Sequence, residues 1–180
     1  MKLVHVVGMT ALLALSACSS SPSPAPSKPR VYRATGDLCG RVDPNALAAV
    51  LGPLKSRRTA PGVGGTSVAT RSCTLQFGTS VPIPVEVSIQ LATNGASVAP
   101  YYQGLRGVEE KQTQLSTVSG LGQDAYTYED ATGPHLVAYD NNLYLSYAVV
   151  MGGLPQSSVP SGVVGAEVAS AHATMDKLIQ

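Results

Sequence analysis

The 180-residue chain has no tryptophan and a single phenylalanine, Phe77, so its aromatic packing falls almost entirely to eight tyrosines. Charge is scarce as well. Asp, Glu, Lys and Arg make up 13% of the chain, against about 25% in an ordinary soluble domain. Twelve Lys and Arg against eleven Asp and Glu give a net charge of +1, with no basic field or run of like charge to attract a nucleic acid. No apolar run reaches the ~20 residues that a membrane-spanning helix needs. There are three histidines and three cysteines, without a Cys-x-x-Cys pair or a histidine cluster. That falls short of the set of about four ligands that zinc takes. The Gly62-Val63-Gly64-Gly65 stretch lacks the Lys-Ser/Thr ending of a phosphate loop. No Gly-x-Ser-x-Gly elbow precedes a helix, which argues against a hydrolase of that type. No metal, cofactor or catalytic residue is expected.

What is present starts at the N-terminus. Lys2 is followed by an apolar core from Val4 to Leu15, interrupted only by His5, Gly8 and Thr10, and then by the small residues Ser16 and Ala17. This is the layout of a secretory signal peptide over residues 1–17. Leu15-Ser16-Ala17-Cys18 resembles the bacterial lipobox. The resemblance implies diacylglycerol on the Cys18 sulfur, cleavage just before it, and a mature protein anchored to the outer side of the cell membrane rather than spanning it. Each buried methylene of an acyl chain contributes about 0.8 kcal/mol to such an anchor. With Lys2 removed, the mature chain is formally neutral. Residues 18–30 form a spacer in which Ser and Pro predominate, a composition that favours solvated polyproline II. A single domain is expected over residues 31–180. Lipidation of Cys18 leaves Cys39 and Cys73, and two thiols in an exported protein usually pair. Their bridge would close a loop of about 35 residues, worth roughly 3–4 kcal/mol, and would leave no cysteine nucleophile.

Along the domain, Asp43 and Pro44 open a helix whose face carries Leu47, Val50 and Leu51, and Gly52-Pro53 ends it. Lys55 to Thr70 has no apolar period and reads as a surface loop. Ser72 to Phe77 is a short strand. Val85 to Leu91 alternates aliphatic and polar residues, the signature of a strand with one buried face. Pro82 and Pro84 argue against a central strand over 81–84. Ser97 to Gly107 suits a helix with Tyr101, Tyr102 and Leu105 on one face. Thr113 to Ser119 is a further strand, and 120–124 a tight connection rich in glycine. Strands follow over 125–128, 136–139 and 143–150, with Asp140-Asn141-Asn142 as a hairpin turn too sparse in oxygen ligands for calcium. Residues 152–161 read as a loop. Val164, Val168, Ala171, Met175 and Leu178 mark an amphipathic C-terminal helix. The sum is an α+β domain: a mainly antiparallel sheet packed by an early helix, a middle helix and a C-terminal helix that share one face.

Asp37-Leu38-Cys39, Leu47 to Gly52, Cys73-Thr74 and Gly120-Leu121-Gly122-Gln123-Asp124-Ala125-Tyr126, followed by a hairpin and a final helix, resemble the small two-cysteine lipoproteins of actinobacteria, a family of unknown function. More loosely, the chain is similar to Mog1p/PsbP-like lipoproteins and to the sensor domains of mycobacterial-type Ser/Thr kinases. The resemblance spans residues 37–180. Leu75 stands where the family often has an aromatic, and Gln123 precedes Asp124 in a turn that usually reads Gly-Leu-Gly-Asp. The resemblance implies an α+β fold and a place in the cell envelope, and it supplies no catalytic residues.

Five tyrosines fall in successive predicted strands: Tyr126, Tyr128, Tyr139, Tyr144 and Tyr147. Tyr126 and Tyr128 share a face, while Tyr144 and Tyr147 lie on opposite faces. One subset is a candidate groove lining, with rings against a sugar or acyl chain; the alternative is that they form the core. His135 and His172 are candidate general bases, each read as a surface or capping residue. Glu109-Glu110 and Glu129-Asp130 read as solvated pairs, and Arg57-Arg58 as solvated cations able to touch an anionic headgroup or wall polymer. The expected function is a non-catalytic envelope lipoprotein that binds a lipid, glycolipid, wall fragment or partner protein. The alternatives are an enzyme acting on wall polymers through His135 or His172 with a nearby carboxylate, and a sensory or structural interaction module.

Overall fold

The computed structural model describes residues 30–33, 36–65, 67–152 and 159–179; the leader, Cys18 and the spacer up to residue 29 lie outside them, as does 153–158 within the expected 152–161 loop. In chain order the elements are α1 (Leu38–Arg41), α2 (Asn45–Leu51), β1 (Leu54–Gly64), β2 (Val68–Phe77), β3 (Ile83–Ala92), α3 (Ala99–Glu109), β4 (Ser116–Thr117), β5 (Asp124–Asp130), β6 (Gly133–Asp140), β7 (Leu143–Val149) and α4 (Val163–Leu178). The strands form one antiparallel sheet in the order β1-β2-β3-β7-β6-β5-β4. It is two meanders, β1 to β3 and β4 to β7, joined where β3 pairs with β7. The fold is α+β.

Strand alternation divides the core in two. Val85, Val87, Ile89 and Leu91 of β3, with Leu136, Ala138, Leu143, Leu145 and Tyr147, form the larger core with Leu47 and Leu51 of α2 and Met175 and Leu178 of α4. The intervening residues Val137 and Tyr144, with Tyr126, point to the other face and pack under Val98 and Tyr102 at the start of α3. The helices therefore do not share one face, as the sequence suggested: α1, α2 and α4 cover one side and α3 the other. Each large side chain fully buried here contributes about 1.5–3 kcal/mol.

α2 begins one residue later than the sequence suggested, with Pro44 at the N-cap rather than in the first turn, but both end signals are used. The Asp43 carboxylate accepts from the Asn45 amide at 3.0 Å, and Gly52 closes α2 at φ 89°. Cys39 and Cys73 form a disulfide with Cα atoms 5.2 Å apart, tying α1 to β2 across the larger core.

The stretch 55–70 is a correction. It holds most of β1, an 11-residue edge strand, together with the start of β2. Residues 55–62 are all exposed, and an edge segment that meets water on both faces has no reason to alternate. Pro61 and Gly62 fall in the register shift between Ala60 and Val63, where a bulge tolerates them. Pro84 is a second correction: it belongs to β3, a central strand. Its carbonyl accepts from the Val150 amide, so its donorless nitrogen faces the same side, beyond the end of β7. The expected strand 113–119 shrinks to Ser116–Thr117. At Gly122 (φ 63°) a Cβ would collide with the Tyr139 carbonyl, so that turn requires glycine.

α4 keeps Ala171, Met175 and Leu178 of the expected stripe, but Val164 is exposed and Val168 half-buried. The buried stripe instead takes in Glu167, Ser170 and Thr174. Ser170 and Thr174 have partners there: the Asp43 amide donates to Thr174 Oγ1 at 3.1 Å, Ser170 donates to the Asp43 carbonyl, and the Tyr147 hydroxyl lies 2.8 Å from Thr174 Oγ1. Glu167 is fully buried, and neither carboxyl oxygen has a hydrogen-bond partner among the described residues. Burial raises its pKa to about 9, so it sits in the fold as the neutral acid.

Candidate functional site

α3 sets the site. Tyr102, Leu105, Arg106 and Glu109 recur at three- and four-residue spacing, which places them on one helical face. Tyr102 packs on Tyr126 and Tyr139, with ring centroids 5.5 and 4.5 Å apart, and Tyr101 meets Tyr144 edge-on at 5.1 Å. The Arg106 guanidinium lies 5.5 Å from the centre of the Tyr126 ring and binds Asp124 at 2.7 Å and Glu110 at 2.9 Å. The Tyr126 hydroxyl donates to Glu109 Oε2 at 2.5 Å. These contacts hold the C-terminal end of α3 against β5. Glu109 and Glu110 are therefore engaged, not simply solvated.

Two adjoining grooves open beside that contact. One, of about 520 Å³, runs between the end of α3 and β5 and is lined by Val108, Glu109, Gln112, Tyr128, Glu129 and Asp130. The other, of about 440 Å³, lies beyond Thr113 and includes Ser116, Thr127, Pro134 and Val164. Tyr128 and Glu129 line both. The short β4 leaves room for them: it pairs only with Thr127 and Tyr126, so the outer edge of Tyr128 to Asp130 has no strand beside it.

His135 stands behind Tyr128, its directly paired neighbour on β6. The two rings stack at 4.5 Å with an interplanar angle of 1°. His135 Nε2 lies 3.1 Å from Asp130 Oδ1 and 3.0 Å from Thr132 Oγ1, and Thr132 donates to the same carboxylate oxygen at 2.6 Å. Burial acts to raise the Asp130 pKa, but the hydrogen bonds from Thr132 and His135 outweigh it and hold the carboxyl at about 2. Acid and hydroxyl meet the same ring nitrogen, so the imidazole does not bridge one to the other as a proton relay requires. Burial, with the charges of Glu109 and Asp130, pushes the Tyr128 hydroxyl up to about 12.

The five tyrosines divide. Tyr126, Tyr128, Tyr139 and Tyr144 share the α3 side of the sheet. Tyr126 and Tyr144 are buried and Tyr139 is half-buried, whereas Tyr128 lines both of these grooves. Tyr147 is fully buried in the opposite core, where it bonds Thr174. His172 is on the exposed side of α4. Sequence reasoning named Glu109 only as half of a solvated pair and did not name Thr132. The seven-residue spacing of Glu109 from Tyr102 was a usable signal, whereas nothing local marked Thr132. Among the described residues no cluster of three or more His, Cys, Asp or Glu is arranged to hold a metal, and no helix is long and apolar enough to cross a membrane. No family model, curated protein or solved structure matches this chain.

Proposed function

We propose that this chain is a lipid-anchored protein of the cell envelope, allied to the small actinobacterial lipoproteins it resembles, and that it is a non-catalytic binding module for a wall fragment. The observation that carries the reading is the composition of the larger groove. Tyr128 offers an aromatic wall, while Glu109, Glu129, Asp130 and Gln112 offer hydrogen-bond acceptors and an amide. An acyl chain laid there would strip water from carboxylates without replacing it, which is costly. A polyhydroxylated or amine-bearing fragment satisfies them. The groove chemistry thus favours a glycan or an amine-bearing wall peptide over a lipid. Native mass spectrometry of the protein purified from its own envelope tests this. A retained glycan or wall peptide, lost in Tyr128→Ala, supports the reading, and a retained acyl lipid contradicts it.

The contact between Asp130 and His135 beside the groove favours a second reading, an enzyme acting on wall polymer. That reading predicts fragment release from purified wall, abolished by His135→Ala. The binding reading predicts no release by either protein.

A further inference from the structure

A second feature lies on the α3 side of the sheet, over the strands that α3 does not cover. Ser56 pairs directly with Gln76, and Arg58 with Thr74, across β1 and β2. Pleating puts these four side chains on one face, at the corners of a rectangle of roughly 5 by 7 Å. They line a hollow of about 100 Å³. Ser56 Oγ donates to Gln76 Oε1 at 3.1 Å. That occupies the acceptor end of the Gln76 amide and leaves its NH₂ donors free. No hydrogen bond or ion pair engages the Arg58 guanidinium among the described residues. The groups left to a visitor are therefore donors: the guanidinium fork, the Gln76 amide and the Thr74 hydroxyl.

The surroundings agree in sign. β1 and β2 carry Lys55, Arg57, Arg58 and Arg71 and no carboxylate. Arg57 is committed to the Cys39 carbonyl at 2.7 Å and Arg71 to the Thr70 carbonyl at 2.8 Å, which leaves Arg58 as the cation of the hollow. Glu86 pairs with Thr74 from the β3 side and bounds the positive region there. The hollow thus has room for one anionic group, not a track for a polyanion. We infer that Ser56, Arg58, Thr74 and Gln76 form a subsite for a single phosphate group, the Arg58 fork taking two oxygens and Thr74 and Gln76 the others. The phosphate could belong to a lipid headgroup or to a phosphodiester-linked wall polymer. The subsite is separate from the tyrosine groove, and its test does not depend on what that groove binds.

The test uses the full chain carrying Cys18→Ser, so that no acyl chain confounds binding to vesicles. Inorganic phosphate is titrated at constant ionic strength against chloride while backbone amide shifts are followed by NMR. The expected result is a saturable shift confined to Ser56, Arg58, Thr74, Gln76 and their neighbours, with affinity at least about tenfold weaker in Arg58→Gln. Arg58→Lys should also weaken it severalfold, because an ammonium keeps the charge but not the fork. Shifts spread over all the cations of β1 and β2, or equal binding by Arg58→Lys, would overturn the subsite in favour of simple charge attraction. Two further probes assign the source: glycerol-phosphate oligomers, and phosphatidylcholine vesicles containing phosphatidylglycerol. Binding tighter than inorganic phosphate by the oligomer supports a polymer ligand, and by the vesicles a headgroup. Failure of both to exceed inorganic phosphate contradicts a role as a ligand site.

Discussion

At the scale of single residues, the hydroxyl of Tyr126 and the carboxyls of Asp130 and Glu167 carry the sharpest predictions. Tyr126→Phe keeps the ring packed under α3 and removes only the hydrogen bond to Glu109. Bonds to a charged partner are worth about 1.5–3 kcal/mol, so denaturant unfolding should show a loss near the lower figure, since Glu109 is only half-buried. Asp130 has a folded pKa held below its ordinary value. Its contribution is complete above about pH 4 and is lost as pH falls toward 2. Asp130→Asn should remove that acid-side slope from a plot of stability against pH. Glu167 works in the opposite sense. Its pKa is raised from 4.5 to about 9, so the folded state keeps a proton that the unfolded state releases. Stability therefore falls as pH climbs from about 4.5 to 9 and levels off beyond. Glu167→Met should flatten that decline and raise the unfolding free energy at pH 7 by about 1–3 kcal/mol, the cost of a buried unsatisfied polar group. These roles were the least legible in the sequence. Glu167 is an acidic residue outside the apolar stripe that the sequence marks on the C-terminal helix, and the partners of Tyr126 and Asp130 are set by tertiary contact.

Among the elements, legibility followed the physical pattern that each one presents. β3 announces itself because one face is buried and the other polar, and α2 because Asp43, Pro44 and Gly52 mark its ends. β1 is silent because residues 55–62 are exposed on both faces, and the basic residues that guard such an edge against pairing also make it look like a loop. α4 was found, but its buried stripe was not, since Ser170 and Thr174 go inward to serve Asp43 and Tyr147. The side of the sheet that each helix covers was not legible, because that depends on how β3 pairs with β7. The element most exposed to a single change is α1, which the disulfide fixes to β2. Replacing Cys39 and Cys73 together by serine should lower the unfolding free energy by roughly 3–4 kcal/mol, as closure of a loop of this length implies, with the helices otherwise retained in circular dichroism.

For the whole molecule, the N-terminal segment enters where the hairpin of β6 and β7 turns. The Tyr32 amide donates to Asn142 Oδ1 at 2.9 Å, the Tyr32 hydroxyl donates to Asp140 Oδ2 at 2.6 Å, and Asn141 Nδ2 donates to the Arg30 carbonyl at 2.8 Å. Asp130, in the wall of the groove, pairs with Gly133 at the other end of β6. An eight-residue strand at about 3.4 Å per residue separates the two ends by roughly 25 Å. If Cys18 carries the anchor, the groove can therefore lie well clear of the attachment point, and Cys18→Ala should release the protein from the membrane fraction or block its maturation. The groove itself is proposed to hold a wall fragment. Its most direct test is titration of the purified protein with solubilised wall fragments, followed by amide NMR in the wild type and in Tyr128→Ala. Saturable shifts are expected at Val108, Gln112, Tyr128 and Glu129, with affinity reduced about tenfold or more in the variant. Shifts that miss these residues, or binding that Tyr128→Ala leaves unchanged, would contradict it.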